Sequence, residues 1–373
     1  MNPNLRFKKT NNSQYKDYEK IKLKEILVER NVKQCIEENA KLLSFTIEEG
    51  IIEPEKKKTN KRDFLTKDME HKKYLLTELN DIIYNPSNIK FGAIGRNKLR
   101  RGVVSPVYKI FSTSENPAYI ELLLKTQKFI NKTLKYLEGT VIKLRTLKPD
   151  DFLNIDVSIP EMEEQEKIGN FFEIFDKKIS LQEEKIIVLE NIKKKIMSEF
   201  FENNLVDSIS LSELAKIEKG KQKNASELST EGKYYLLNGG INPSGYLDEY
   251  NTNENTITIS EGGSSCGYIN YNEEKFWCGG HCYKVINSSI DNKYLFYLLK
   301  YHEPSIMKLR VGSGLPNIQK KDLENYIVQI HDEEIQKDIV KKMDVIELKI
   351  KLENDYLTEL KKEKISLCQN MFV

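Results

Sequence analysis

The stretch Cys278-Gly279-Gly280-His281-Cys282 packs three potential metal ligands into five residues. A structural zinc ion takes four ligands, usually from two paired spacings. No second pair stands nearby, so the stretch reads as the glycine-kinked start of a strand and no metal is expected. Asn85-Pro86-Ser87 holds half of an adenine-methyltransferase signature but lacks the second proline and the aromatic residue that would stack on a base; it reads as a turn. Asp150 with Glu183 and Lys185 has the residue types of a nuclease, yet Glu183 and Lys185 fall on a charge-rich helical face where solvated charge is the expectation. Neither a GxxxxGK[ST] phosphate loop nor a GxGxxG dinucleotide pattern is present. With four histidines and no paired carboxylates on a recognisable scaffold, catalysis finds no residues to carry it.

Residues suited to nucleic acid are easier to find. Arg96, Lys98, Arg100 and Arg101 lie between Gly95 and Gly102, a concentration of charge that offers both bidentate guanine readers and phosphate contacts. The bland reading is an exposed hairpin tip with ordinary surface charge. Further along, Lys219 and Lys221, with Lys223, suit a phosphate track. Asn238-Gly239-Gly240 and Gly262-Gly263-Ser264-Ser265 let backbone approach a groove closely, although such glycines also serve tight turns. His281, Arg310 and Ser313 complete the candidate set, whereas Lys56-Lys57-Lys58 is read as a solvated run.

The elements that must position these residues follow from length and pattern. At 373 residues the chain is too long for one ordinary core and comfortable for two domains. A net charge of +2 with 31% charged residues neither demands nor excludes a polyanionic partner. No apolar run approaches the length of a bilayer crossing, and the N-terminal residues lack the apolar core of a secretory signal; a soluble, cytoplasmic protein is expected. The cysteines, Cys35, Cys266, Cys278, Cys282 and Cys368, are few and odd in number, as reduced thiols would be.

The dominant pattern is a repeat: residues 147–201 recur as residues 318–372, an offset of 171. In the first copy Ile168, Phe172, Phe175, Ile179, Ile186, Leu189, Ile196 and Phe200 follow steps typical of a helix seam. The second copy places Ile339, Met343, Ile346, Ile350, Leu357, Leu360, Leu367 and Met371 at the same offset, and the seam breaks match as well, Gln182 with Glu353 and Lys193 with Lys364. Any two heptad helices can be slid into phase, but Asp151/Asp322, Asn154/Asn325, Val157/Val328 and Ile159/Ile330 agree before the helix begins, which favours duplication.

Five segments result: a polar and poorly ordered lead-in at 1–22, a mixed head at 23–158, a spacer helix at 159–204, a second head at 205–329 and a second spacer helix at 330–373. The pattern predicts a helical stretch near 32–49, strands around 81–84 and 103–111, and further strands at 234–237, 256–260, 267–271 and 282–286. Leu23-Lys24-Glu25-Ile26 is echoed by Leu211-Ser212-Glu213-Leu214, and Tyr119–Lys125 by Tyr294–Lys300. The fold class is α+β: two mixed α/β heads separated by a pair of long antiparallel coiled-coil helices with a pseudo-twofold internal repeat. A helix of about 40 residues spans about 60 Å. Two similar heads on such a spacer match the local dyads of duplex DNA, as dimeric DNA binders do.

Ile159-Pro160-Glu161-Met162-Glu163-Glu164-Gln165-Glu166-Lys167-Ile168, its continuation from Phe172 to Phe201 and the second copy resemble the specificity subunit of type I restriction-modification systems. Gly92-Ala93-Ile94-Gly95 with Gly102–Tyr108, and Thr258–Gly263 with Gly267-Tyr268-Ile269 and Lys275-Phe276-Trp277, look like two classes of target-recognition domain. The resemblance covers nearly all of the chain after the first twenty residues. It implies a non-catalytic subunit in which each head reads one half of a bipartite double-stranded DNA target. The helices would fix the spacer and dock two modification subunits, with restriction subunits joining the assembly. S-adenosylmethionine, ATP and Mg would belong to those partners and no cofactor to this chain. His331-Asp332-Glu333-Glu334 departs from the Pro160-containing start of the first copy and leaves the second helix start open. A coiled-coil scaffold joining two protein-binding modules is the rival reading, and a self-contained methyltransferase or nuclease is disfavoured by the missing cofactor motifs.

Overall fold

The computed structural model describes residues 2–56, 72–137, 146–312, 314 and 316–372. The candidate Ser313, most of the Lys56–Arg62 loop and Gly139 lie outside the described residues. The chain divides into two units, Met1–Gln182 with Tyr356–Val373 and Glu183–Asp355. Each unit therefore holds one head together with part of both long helices.

The first head begins with β1 (Glu19–Lys22) and β2 (Leu27–Glu29), followed by the short strands β3 (Lys33–Gln34), β4 (Ser44–Thr46), β5 (Gly50–Ile52) and β6 (Tyr74–Thr77). Strands β7 (Ile82–Tyr84), β8 (Ile94–Arg96), β9 (Gly102–Val104) and β10 (Lys109–Thr113) complete its sheets, one of which has the antiparallel order β2-β10-β7-β8. Helices α1 (Pro117–Lys125), α2 (Gln127–Thr133) and α3 (Pro149–Leu153), then β11 (Asp156–Ile159), lead into α4 (Met162–Phe201). The core is aromatic: Tyr84 stacks on Phe152 at 4.5 Å, Phe111 lies 5.3 Å from the same ring, and all three side chains are fully buried.

Three sequence expectations change here. The helix expected near 32–49 is absent; β3 and β4 stand there, because burial alternates along Leu43, Ser44, Phe45 and Thr46 with the period of a strand. The expected strand at 103–111 is two strands, β9 and β10, separated by a turn at Pro106 in which Tyr108 N–H donates to the Ser105 carbonyl. The polar lead-in is ordered. Tyr15 and Tyr18 are buried, and Arg6 makes a two-pronged ion pair with the buried Glu164 at the start of α4.

The second head comprises β12 (Asp207–Ser210), α5 (Leu211–Leu214), β13 (Lys216–Lys219), β14 (Tyr234–Leu237), β15 (Gly245–Leu247) and β16 (Thr256–Ser260). It continues with β17 (Ile269–Asn272), β18 (Trp277–Cys278), β19 (Cys282–Ile286), α6 (Asn292–Ile306), α7 (Lys320–Glu324) and β20 (Ile327–Ile330), before α8 (Glu333–Met371). Its sheets have the orders β13-β19-β16-β17 and β15-β14-β18. Pro304 near the end of α6 removes a backbone donor, and a 3-10 turn follows at Met307–Leu309.

The duplication holds at the level of single hydrogen bonds. β1 pairs with β11, Glu19 opposite Ile159, and β12 pairs with β20, Asp207 opposite Ile330, in the same antiparallel register. Leu23 N–H donates to the Ile155 carbonyl as Leu211 N–H does to that of Tyr326. Asn116 caps α1 by accepting from Tyr119 N–H, and Asp291 caps α6 by accepting from Tyr294 N–H. Gln165 donates to the Pro160 carbonyl and Gln336 to that of His331. The start of α8, which the sequence left open, falls at Glu333, the counterpart of Met162, and Asp332 accepts from Ile335 N–H there.

His331 replaces a proline but gains a task. Its N–H donates to the Tyr294 hydroxyl at 3.1 Å, the same hydroxyl contacts its Nδ1 at 2.7 Å, and its Nε2 lies 3.0 Å from the carbonyls of Phe200 and Asn203. A hydroxyl that accepts from the His331 backbone donates to Nδ1, which leaves Nε2 to carry the proton toward the last carbonyls of α4.

Within each unit the helix segments run antiparallel. In the first unit Asp176 bonds Lys364 and Lys178 sits over the Tyr356 ring; in the second, Lys185 pairs with Glu353 and Lys193 with Glu347. All sixteen seam residues named from the sequence are buried or half-buried, from Ile168 and Ile339, both fully buried, to the half-buried Ile186 and Leu189.

Candidate functional site

Four loops of the second head converge on one cleft because their strands are neighbours. Lys219 at the end of β13 pairs with Tyr283 of β19, Ser260 at the end of β16 pairs with Cys282, and Leu237 at the end of β14 pairs with Cys278 of β18. The residues just beyond these strand ends line a cavity of about 610 Å³: Lys219, Asn238, Glu261, Ser264, Ser265 and His281 among them. Five sequence candidates are thus brought together. Lys221 lies outside the cavity lining but next to it, exposed, its backbone carbonyl accepting from the Trp277 indole.

Hydrogen bonds fix the loops against one another. Asn238 Oδ1 accepts from His281 N–H at 3.1 Å, Ser260 Oγ donates to the Gly239 carbonyl at 2.5 Å, and Glu261 N–H donates to the His281 carbonyl at 2.9 Å. Gly239 adopts φ +77°, and a Cβ there would meet the His281 carbonyl at 2.7 Å, so only glycine fits. Glu261 is the acidic centre: it takes Lys219 Nζ at 2.6 Å and the Tyr283 hydroxyl at 3.1 Å, while His281 Nδ1 stands 3.7 Å away. Burial and Glu261 together push the Tyr283 phenol up, so it stays a donor. The His281 ring itself is exposed and open to a ligand.

Sequence reasoning missed Ser244, Pro316 and Asn317, which also line the cavity. Asn317 arrives through the return of the chain after α6, where it pairs with Val311 and with Gly262. Pro316-Asn317 is a turn signal that marks a loop but gives no hint of which strand ends it will meet. Arg310 is exposed at the base of that return and does not line the cavity. Cys278 and Cys282 flank the kink at Gly279-Gly280 as ends of β18 and β19 and are buried. Among the described residues no group of three or more His, Cys, Asp and Glu could hold a metal.

The basic stretch of the first head is arranged differently. Arg96 is 8% exposed; its guanidinium bonds Glu121, Glu173 and Asn80 and faces the protein rather than a groove. The sequence placed Arg96 among the DNA-binding candidates of the first half-site; in the structure its guanidinium is taken up by these protein partners. Burial would raise the Glu121 carboxyl, but Lys125, Lys98 and Arg96 outweigh it and hold the group below its ordinary value. Lys98 pairs with Glu121 at 2.9 Å, Arg100 with Glu53 at 2.8 Å and Arg101 with Glu78 at 2.7 Å. Lys98 and Arg101 are exposed and Arg100 is half-buried; the Arg100 and Arg101 pairs contribute only about 0–1 kcal/mol, so a phosphate can replace those carboxylates, whereas Lys98 also neutralises the buried Glu121. Asn97, which the sequence did not single out, is buried and holds the turn through Thr77 Oγ1 and the carbonyls of Glu78 and Arg100.

Residues 203–362 match the family described as type I restriction modification DNA specificity domain. A type I specificity subunit of Mycoplasma pneumoniae is 32% identical over 166 residues, which is 43% of this chain and 44% of that protein. The matched stretch therefore spans less than half of that relative. The specificity subunit of the MjaX restriction enzyme of Methanocaldococcus jannaschii is 25% identical over 290 residues, 67% of each protein. A crystal structure of the S subunit of a type I restriction-modification system from M. genitalium superposes with a TM-score of 0.65 at 16% identity, covering 100% of this chain and 99% of that one. No helix among the described residues is long and apolar enough to cross a membrane. Residues 203–362 are thus similar to the type I restriction modification DNA specificity domain, and along its whole length the chain has the fold seen in that S-subunit crystal structure.

Proposed function

We propose that this chain is the DNA-recognition subunit of a type I restriction-modification complex, without catalysis of its own. Each head reads one half of a bipartite, asymmetric double-stranded target, and the paired helices fix the unread gap and dock two modification subunits. Methyl donor, ATP and Mg act in the modification and restriction subunits. The observation that carries this reading is a duplicated frame with unlike heads: the β1–β11 and β12–β20 pairings share one register, whereas the four-loop cleft of the second head and the ion-paired turn of the first have different chemistry. Identical frames with different loops suit two different half-sites.

The contacts divide by chemistry. Lys221 and the lysine side of the cleft suit phosphates, and the exposed His281 and Ser264 with the half-buried Asn238 and Asn317 suit base edges. In the first head Lys98, Arg100 and Arg101 supply the charge, with Arg96 as their support. Mapping methylated bases genome-wide with and without this chain tests the whole reading: a bipartite motif should vanish on deletion. An unchanged methylation map would sink it. Binding of the purified chain to duplex DNA that does not weaken between about 50 and 200 mM salt would favour a protein-binding scaffold instead.

A further inference from the structure

The two units treat equivalent faces of their helix pair differently. In the first unit the N-terminal arm covers the face: Phe7 packs edge-on against Phe171 at 5.8 Å, Leu5 N–H donates to the Asn370 carbonyl at 2.9 Å, and Lys167 Nζ donates to the Lys8 carbonyl at 3.1 Å. The repeat offset carries Lys167, Phe171 and Asn370 onto Asp338, Lys342 and Glu199. In the second unit these three line an open groove of about 510 Å³, floored by Ile196, Phe200, Val345 and Ile346. The chain there runs from the end of α4 at Phe201 to β12 at Asp207 with no room for an arm, and Val345 is 62% exposed.

We propose that this groove binds an extended segment of a partner protein, one that presents an aliphatic and an aromatic side chain in succession with a carboxylate beside them. The occupied face of the first unit supplies the backbone mode, and the substitutions between the copies supply the chemistry. Glu164, which holds Arg6 of the arm, is replaced by the half-buried Ile335, so an aliphatic side chain takes the place of that arginine. Phe171, which meets the Phe7 ring, is replaced by Lys342, whose ammonium already stands 5.6 Å from the Phe200 ring centre and suits an aromatic face. Asn170 is replaced by Lys341, an exposed cation with no ion-pair partner among the described residues, which calls for a carboxylate. The arm of a second copy fits poorly, since Arg6 would face Ile335 and the Lys8 carbonyl would face the Asp338 carboxylate, which has no proton to donate.

The test uses the full chain and two labelled synthetic peptides, residues 3–14 of this sequence unchanged and the same peptide with Arg6→Leu and Lys8→Glu. Fluorescence polarisation should show saturable binding of the substituted peptide, at least tenfold tighter than the unchanged one. Val345→Asp, at an exposed position, should weaken it at least tenfold, and Lys341→Glu should reverse the preference between peptides. Absence of saturable binding, equal binding to Val345→Asp, or tighter binding of the unchanged peptide would each overturn the proposal, the last by making a second copy the occupant. None of these outcomes touches the reading of the heads as DNA-binding, which methylation mapping decides separately.

Discussion

Lys193 Nζ lies 2.9 Å from Glu347 Oε1, and the two partners' counterparts in the repeat, Lys364 and Asp176, are also bonded to each other. One ion pair thus occurs twice, once in each unit, at seam positions where an apolar residue would be the default. The groups are half-buried, so the pair contributes on the order of 1 kcal/mol and chiefly sets which residues face each other. Lys193→Glu is expected to lower the thermal midpoint, and adding Glu347→Lys should restore most of the loss. A double-mutant cycle with no coupling would show that the pair does not fix register.

His331→Ala removes the ring acceptor of the Tyr294 hydroxyl proton and the ring donor to the Phe200 and Asn203 carbonyls, while the residue-331 N–H still bonds the Tyr294 hydroxyl oxygen. A cost of about 2–4 kcal/mol is expected, read as a lower unfolding midpoint and faster amide exchange at the end of α4. His331→Pro, which copies Pro160 of the first repeat, should also destabilise, because proline cannot donate to the Tyr294 hydroxyl. Wild-type stability in either variant would contradict the capping role.

Arg96→Met separates support from recognition. It should cost about 2–3 kcal/mol in stability, since Glu121 stays buried with one cation fewer, and leave the preferred DNA sequence unchanged. Glu121 titrates below its unfolded value. Its contribution is complete above the ordinary carboxylate pKa and is lost as pH falls through the depressed folded value. In Arg96→Met that acid-side loss should begin at a higher pH, as followed by fluorescence or circular dichroism. Altered base preference with unchanged stability would return Arg96 to the reading surface.

Lys221→Ala and His281→Ala distinguish phosphate from base contacts in the second head. The first should weaken all DNA sequences alike and reduce the slope of log affinity against log salt by about 1. The second should relax discrimination at one position of one half-site by about 1–3 kcal/mol and spare the slope. Electrophoretic or polarisation binding to a panel of single-base variants reads both.

A four-residue insertion in α4, about 6 Å of helix, should change the unread gap between half-sites by one to two base pairs. Methylation mapping in cells that carry the insertion reports the gap directly. An unchanged gap in a functional complex would remove the helices from the role of spacer.

Much of this architecture was legible in the chain itself. The sixteen seam residues, the offset of 171 and the strands at 234–237, 256–260 and 282–286 follow from periodicity and turn residues, which are local properties. Local pattern failed where long-range pairing overrode it: residues 32–49 form strands because Leu43 N–H finds the Val103 carbonyl sixty residues on. The lead-in is held because Arg6 finds Glu164, a partner 158 positions away.

For the site, sequence determined the kinds of residue available, and tertiary structure decided which of them face outward. Lys219, Asn238, Ser264, Ser265 and His281 come together because β13, β14, β16 and the β18–β19 kink end side by side. Arg96 looks the same in sequence as Arg100 and Arg101, yet a place in β8 turns it toward Glu121 and Glu173, while in the turn Arg100 stays half-buried and Arg101 exposed. The reason is physical: a charge is defined by its residue type, but its availability depends on which carboxylates the fold brings within reach, and that is settled only when distant strands pair.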